Sequence, residues 1–153
     1  MEYLIVKWLH ILSSTVLFGT GLGSAFYMFL ASRTRNPQVV ASVVGYVVLA
    51  DWLFTAPTVI FQPLSGVYLM HLAGLRFTAP WVTKSFALYS LAVAAWLPVV
   101  WIQLRLKNMA LATPPGAKLP ELYWKYLRVW VALGVVAFFA LLIVFYLMVA
   151  KTF

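Results

Sequence analysis

Four stretches of this chain are each long and apolar enough to cross a lipid bilayer, and they leave room for little else. A hydrocarbon core of about 30 Å takes roughly 20 apolar helical residues to cross. Such runs extend from about Leu4 to Leu30, Trp52 to Leu72, Trp81 to Ile102 and Trp130 to Ala150. The fold they predict is all-α, a four-transmembrane-helix bundle occupying residues 1–153 as one integral membrane domain. Composition agrees. Of 153 residues 65% are apolar and 9% charged, too few polar groups to clothe a soluble domain. No segment remains for a soluble catalytic domain.

The first run is too long for a signal-peptide core, and no small-x-small site follows it, so it reads as a retained helix. The apolar stretch Val39–Leu75 exceeds one crossing. It is expected to start as an interfacial or protruding helix, to cross from Trp52, and to kink at Pro57 and Pro63. Pro120 and Glu121 look like the first turn of the last helix.

The net charge of +8 flanks apolar spans, which points to anionic headgroups of the lipid bilayer and away from nucleic acid. Loops one and three carry Arg33, Arg35, Arg105, Lys107, Lys118, Lys125 and Arg128. The opposite side has Lys7, Arg76, Lys84 and Lys151. The positive-inside rule then puts both loops in the cytoplasm and both termini on the extracytoplasmic side of a bacterial inner membrane. Tyr3, Trp8, Trp81, Tyr123, Trp124 and Trp130 suit interfacial belts. The absence of cysteine excludes disulfides, thiolate chemistry, iron–sulfur clusters and thioether-linked haem.

Ionisable groups inside a bilayer are functional candidates by default. The two histidines lie at similar depth on neighbouring spans: His10 about 9 Å past Leu4, His71 about 6 Å before Leu75. Lys7, His10, Ser14 and Gly21 recur at helical spacing and form one stripe. Gly21 leaves flat space beside it. A porphyrin needs such a slot, an imidazole for iron and cations for its propionates. His10 and His71 could ligate the metal, with Lys7, Lys84 and Arg76 toward the propionates. The plain alternatives are a His10 hydrogen-bonded across the bundle, an interfacial His71, and lysines that snorkel. Copper through Met70, His71 and His10 is a thinner reading, and zinc lacks ligands.

Gly19 and Gly23 form a Gly-x-x-x-Gly pair suited to packing a neighbouring helix. Asp51 is placed at the cytoplasmic interface in preference to a proton-relay position. Gln62 is positioned to satisfy the carbonyl freed by Pro63. Thr55, Thr58 and Ser65 are expected to bond back to their own helix. The sequence holds no Ser/His/Asp arrangement, no Walker loop and no carboxylate pair.

The chain as a whole resembles an uncharacterised family of small bacterial integral membrane proteins, domain of unknown function 2269. The resemblance lies in Lys7-Trp8-Leu9-His10-Ile11, Phe18-Gly19-Thr20-Gly21-Leu22-Gly23, Asp51-Trp52-Leu53-Phe54-Thr55-Ala56-Pro57, Gln62-Pro63-Leu64-Ser65-Gly66 and Pro80-Trp81-Val82-Thr83-Lys84. More distantly it is similar to the HemJ-type protoporphyrinogen oxidases and their relative, the CopD copper-resistance membrane domain. Lys7, Leu9 and His10 match the Lys-x-Leu-His of the HemJ-type first helix; Thr55, Pro57 and Gly66 are similar to its second, and Trp81 and Lys84 to its third. That resemblance implies a haem b site with His10 and Lys84 as the functional pair. The chain departs at the start of helix two, at Trp96-Leu97-Pro98 where that family has a histidine, and at Tyr126-Leu127-Arg128-Val129 where it has Asn-Glu. The resemblance implies a shared architecture and haem site and a role related to porphyrin oxidation; the departures bear on that last activity.

The function expected is a haem b-binding inner-membrane protein with a redox or electron-transfer role, acting with a redox partner or as a homo-oligomer. A cofactor-free membrane subunit or small-solute transporter is the alternative. The orientation has its own test. Alkaline phosphatase fused after Lys151 is expected to be active, and after Gly116 inactive; the reverse pattern overturns the topology.

Overall fold

The computed structural model describes residues 1–151, which form helices joined by short turns. Helix α1 spans Glu2–Arg33, α2 Pro37–Ala50, α3 Ala56–Leu72, α4 Pro80–Ala112 and α5 Glu121–Ala150. A five-residue π-turn, Asp51–Thr55, joins α2 to α3 as one rod, Pro37–Leu72. The result is four helices long and apolar enough to cross a membrane. Four crossings bring both termini to one end of the bundle; the loops 34–36 and 113–120 lie at the other.

Each turn has a local cause. Asn36 caps α2, its side-chain oxygen accepting from Gln38 and Val39 N–H, with Pro37 in the first turn where no amide is needed. Gly74 ends α3 at φ 63°, which lets the Gly74 and Leu75 amides turn back to His71 and Met70. The π-turn precedes Pro57, which can neither donate to the ladder nor tolerate the turn before it unchanged. The Ala56 amide reaches back to the Asp51 carbonyl, and the widened turn absorbs the conflict. Pro63 and Pro98 sit inside α3 and α4.

Two sequence expectations are corrected. Residues 39–50 do not stand apart from the bundle. Val40, Val44 and Val47 of α2 are buried against Ile102, Leu106 and Met28. The β-branched row at i, i+4 and i+7 makes an apolar stripe that packs as readily inside the bundle as along a headgroup layer. Tyr123 and Trp130 are buried rather than belted at the surface.

Packing is uneven along the axis. The core runs through Met28, Val40, Val44, Leu106, Tyr123 and Leu127, all at the loop end. The Ser32 hydroxyl donates to the Met28 carbonyl and meets the Tyr123 hydroxyl at 2.6 Å, tying α1 to α5 there. Toward the terminus end, α1 pairs with α3 while α4 pairs with α5, and a cleft opens between the pairs. At mid-height Phe18 of α1 packs on Phe138 and Phe145 of α5 and bridges it.

Tyr123→Phe removes one interhelical hydrogen bond and leaves Ser32 its Met28 partner. The expected loss is about 0.6–1 kcal/mol, read by unfolding in detergent.

Candidate functional site

His10 is buried, at 9% exposure, on the face of α1 that meets α3. Two α3 side chains hold it. The Gln62 amide donates to the His10 carbonyl at 2.9 Å, and Nδ1 of the ring lies 2.7 Å from the Ser65 hydroxyl. That hydroxyl also lies 2.7 Å from the Phe61 carbonyl, which can only accept. Its single proton goes to Phe61, so its oxygen accepts from His10 Nδ1–H. The neutral ring then carries its lone pair on Nε2, which has no hydrogen-bond partner among the described residues. Gly66, one turn from Gln62, leaves room for the ring: a Cβ there would sit 3.5 Å from Cε1.

The ring faces a cavity of about 520 Å³ at the terminus end of the cleft. Its walls come from α1, α3, α4 and α5, mainly as Leu17, Leu69, Val82, Phe86, Val144 and Phe145. Lys7, Ser14 and Lys151 supply polar groups, and Met70 and Met148 supply thioethers. The site is apolar, with one oriented imidazole and two cations.

The stripe read from the sequence divides here. Lys7, His10 and Ser14 line this cavity together. Gly21, two turns further along α1, lines a separate cavity beyond Phe18. His71 does not face His10. It is exposed, in an outer groove with Tyr68, Gly74 and Phe77. Similar depth did not bring the rings together, because His71 lies nine residues beyond Gln62, about two and a half turns, which carries it to the opposite face of α3. Lys84 and Arg76 are exposed and line neither cavity. Among the described residues no three His, Cys, Asp or Glu side chains cluster as a metal site.

Other expectations are also revised. Gln62 spans to α1 rather than satisfying its own helix. Asp51 faces into the bundle. It is buried at 6% exposure inside the bundle, its Oδ1 accepting from Thr55 at 2.8 Å. Gly19 and Gly23 pack against no neighbour; a Cβ at either would meet nothing within 4 Å. Ser65 and Thr58 do bond back to their own helix, and Ser65 also serves His10. Sequence reasoning passed over Met148, Lys151 and Ser65 as site residues. Only the last had a signal, lying three residues after Gln62 and thus on the same helix face.

Residues 4–152 match the family model described as a predicted integral membrane protein, DUF2269. The chain belongs to this family. No curated protein and no solved structure matches it.

Removing Ser65 strands the Nδ1–H of His10. Ser65→Ala is expected to cost about 1–3 kcal/mol, while Ser65→Ala with His10→Leu loses less than the two single changes summed. Melting the singles and the double in detergent checks this.

Proposed function

We propose that this chain binds haem b in the bacterial inner membrane, beneath the extracytoplasmic headgroups, and serves a redox or electron-transfer role. The observation that carries the reading is the His10 ring held by Ser65, its Nε2 lone pair unshared, beside a 520 Å³ apolar cavity. A ligating imidazole characteristically donates its other N–H to a fixed acceptor, which sets tautomer and orientation. Ser65 is that acceptor here.

The rest of the lining fits the group. Lys7 and Lys151 at the cavity edge suit propionates. Met70 or Met148, whose thioethers line the same cavity, would replace His71 as the second side chain to hold the iron, a His/Met set that raises haem potentials. Bound there, haem supplies one-electron chemistry. This chain's own residues orient it through His10, exclude water with the leucines and phenylalanines, and balance its charge at the headgroup level. The likeness of Lys7-Trp8-Leu9-His10 to the HemJ-type first helix supports the same assignment. The exposure of Lys84 gives no support to a shared porphyrinogen-oxidising pair.

A second reading, a cofactor-free membrane subunit or small-solute carrier, is favoured by the single imidazole in the cavity. The visible spectrum of the protein, purified in detergent from haem-replete cells, separates the two. A Soret band lost in His10→Ala and kept in His71→Ala is the expected result, with Ser65→Ala weakening haem binding about 10- to 100-fold. A colourless protein, or a band that survives His10→Ala, rejects the haem reading in favour of the second.

A further inference from the structure

On the loop side of Phe18 the gap between α1 and α5 opens again, into a second cavity of about 430 Å³ whose wall is almost wholly hydrocarbon. Leu22, Phe26 and Phe29 of α1 form one rim, and Val131 and Val135 of α5 form the other. All five line the cavity and are also exposed on the outer surface, so it opens sideways into the acyl region. Two glycines widen the mouth. Gly21 and Gly134 each lie about one turn from the Phe18–Phe138 contact, and a Cβ at either would meet nothing within 4 Å. From Phe18 to Phe29 the α1 wall is about 16 Å long. That is close to the hydrocarbon of one leaflet, half of a core of about 30 Å.

Both rims end in a cation. Arg33 continues the α1 rim one turn beyond Phe29, and its guanidinium lies over the Phe29 ring, 5.9 Å from the centroid. Arg128 continues the α5 rim one turn before Val131. Both arginines are exposed, and their depths agree. Arg33 is about 22 Å from Phe18 toward the loop end, while Arg128 is about 15 Å from Phe138 and about 25 Å from Phe145, the two rings that Phe18 meets. Acids are remote or turned away. Glu2 is at the terminus end, the Asp51 carboxyl is buried with Oδ1 accepting from Thr55, and Glu121 lies about two turns before Arg128.

This arrangement restricts the guest. Guanidinium pairs at headgroup depth suit a phosphodiester, which takes paired N–H bonds from arginine. The slot beyond them suits a hydrocarbon chain one leaflet long. A headgroup with its own ammonium would set like charge against the pair. We propose that this cleft holds an anionic phospholipid of the loop-side leaflet, its phosphate between Arg33 and Arg128 and one acyl chain laid in the slot as far as Phe18. The site is separate from the His10 cavity and does not depend on haem being bound there.

The test is native mass spectrometry of the delipidated protein in detergent, titrated with dioleoylphosphatidylglycerol, with dioleoylphosphatidylcholine and glycerol phosphate as comparisons. One phosphatidylglycerol held about tenfold more tightly than phosphatidylcholine, with glycerol phosphate not retained, supports the proposal. Arg33→Gln with Arg128→Gln removes the charged pair, and Gly134→Leu fills the slot; each is expected to weaken that lipid about tenfold. Gly21→Leu repeats the filling from the other rim. Arg105→Gln with Lys118→Gln removes equal charge from the same end of the bundle, away from the slot, and leaves the affinity unchanged. The altered side chains are exposed or enter open space, so the lipid-free variants melt close to the parent protein. Equal binding of the two lipids, glycerol phosphate held as tightly as phosphatidylglycerol, affinity untouched by the Arg33–Arg128 pair or by both glycine changes, or an equal loss in the Arg105–Lys118 pair overturns it.

Discussion

In hydrocarbon no water stands by to complete a hydrogen bond, so every polar atom of this bundle must find its partner within the protein. Most do so locally. Ser14, Ser32, Thr58, Ser65, Ser85 and Thr113 donate to carbonyls three or four residues back in their own helices. The bonds that cross between helices are few and therefore define the assembly: Ser32 to Tyr123, His10 to Ser65, Gln62 to the His10 carbonyl, Tyr68 to the Glu2 carboxylate, and Tyr89 to the Val59 carbonyl. They set which faces meet, since apolar side chains gain little by choosing one another over lipid.

Those ties divide the bundle into a closed half and an open half. At the loop end, valines of α2 and leucines of α4 and α5 interlock around Tyr123 and leave little space. Toward the terminus end the α1–α3 pair and the α4–α5 pair separate, and the Phe18–Phe138–Phe145 contact is the bridge between them. Two cavities result, one on each side of that bridge, sharing Leu17, Tyr89 and Leu141 as their common wall. One is lined by an imidazole whose bonding is complete except at Nε2. The other is lined mostly by hydrocarbon. The same rule of satisfaction that organises the fold points to the first as a place for a guest.

How far these sites could be read beforehand varied by residue. His10 with Lys7 and Ser14 was legible because helical periodicity alone places i, i+3 and i+7 on one face. His71 misled because depth along a helix is computable from sequence while direction around it, relative to a neighbouring helix, is not. Asp51 misled for another reason. Its facing depends on the π-turn, which rotates the residues before Pro57 out of the register that a regular helix would give them. Lys151 and Met148 reach the His10 cavity from the far end of α5, a juxtaposition with no local signature.

Sequence by itself determined the number of crossings, the helical class, the punctuation at Pro37, Gly74 and Pro80, and the common end of both termini. These follow from hydrophobic run length and backbone chemistry, which act within a few turns of one helix. Tertiary structure decided which polar faces turn toward one another, that α2 enters the core, and that the glycines at 19 and 23 face open space. Such choices rest on helix rotation and pairing, and these depend on a handful of interhelical hydrogen bonds and on side-chain volumes from segments up to the whole chain apart.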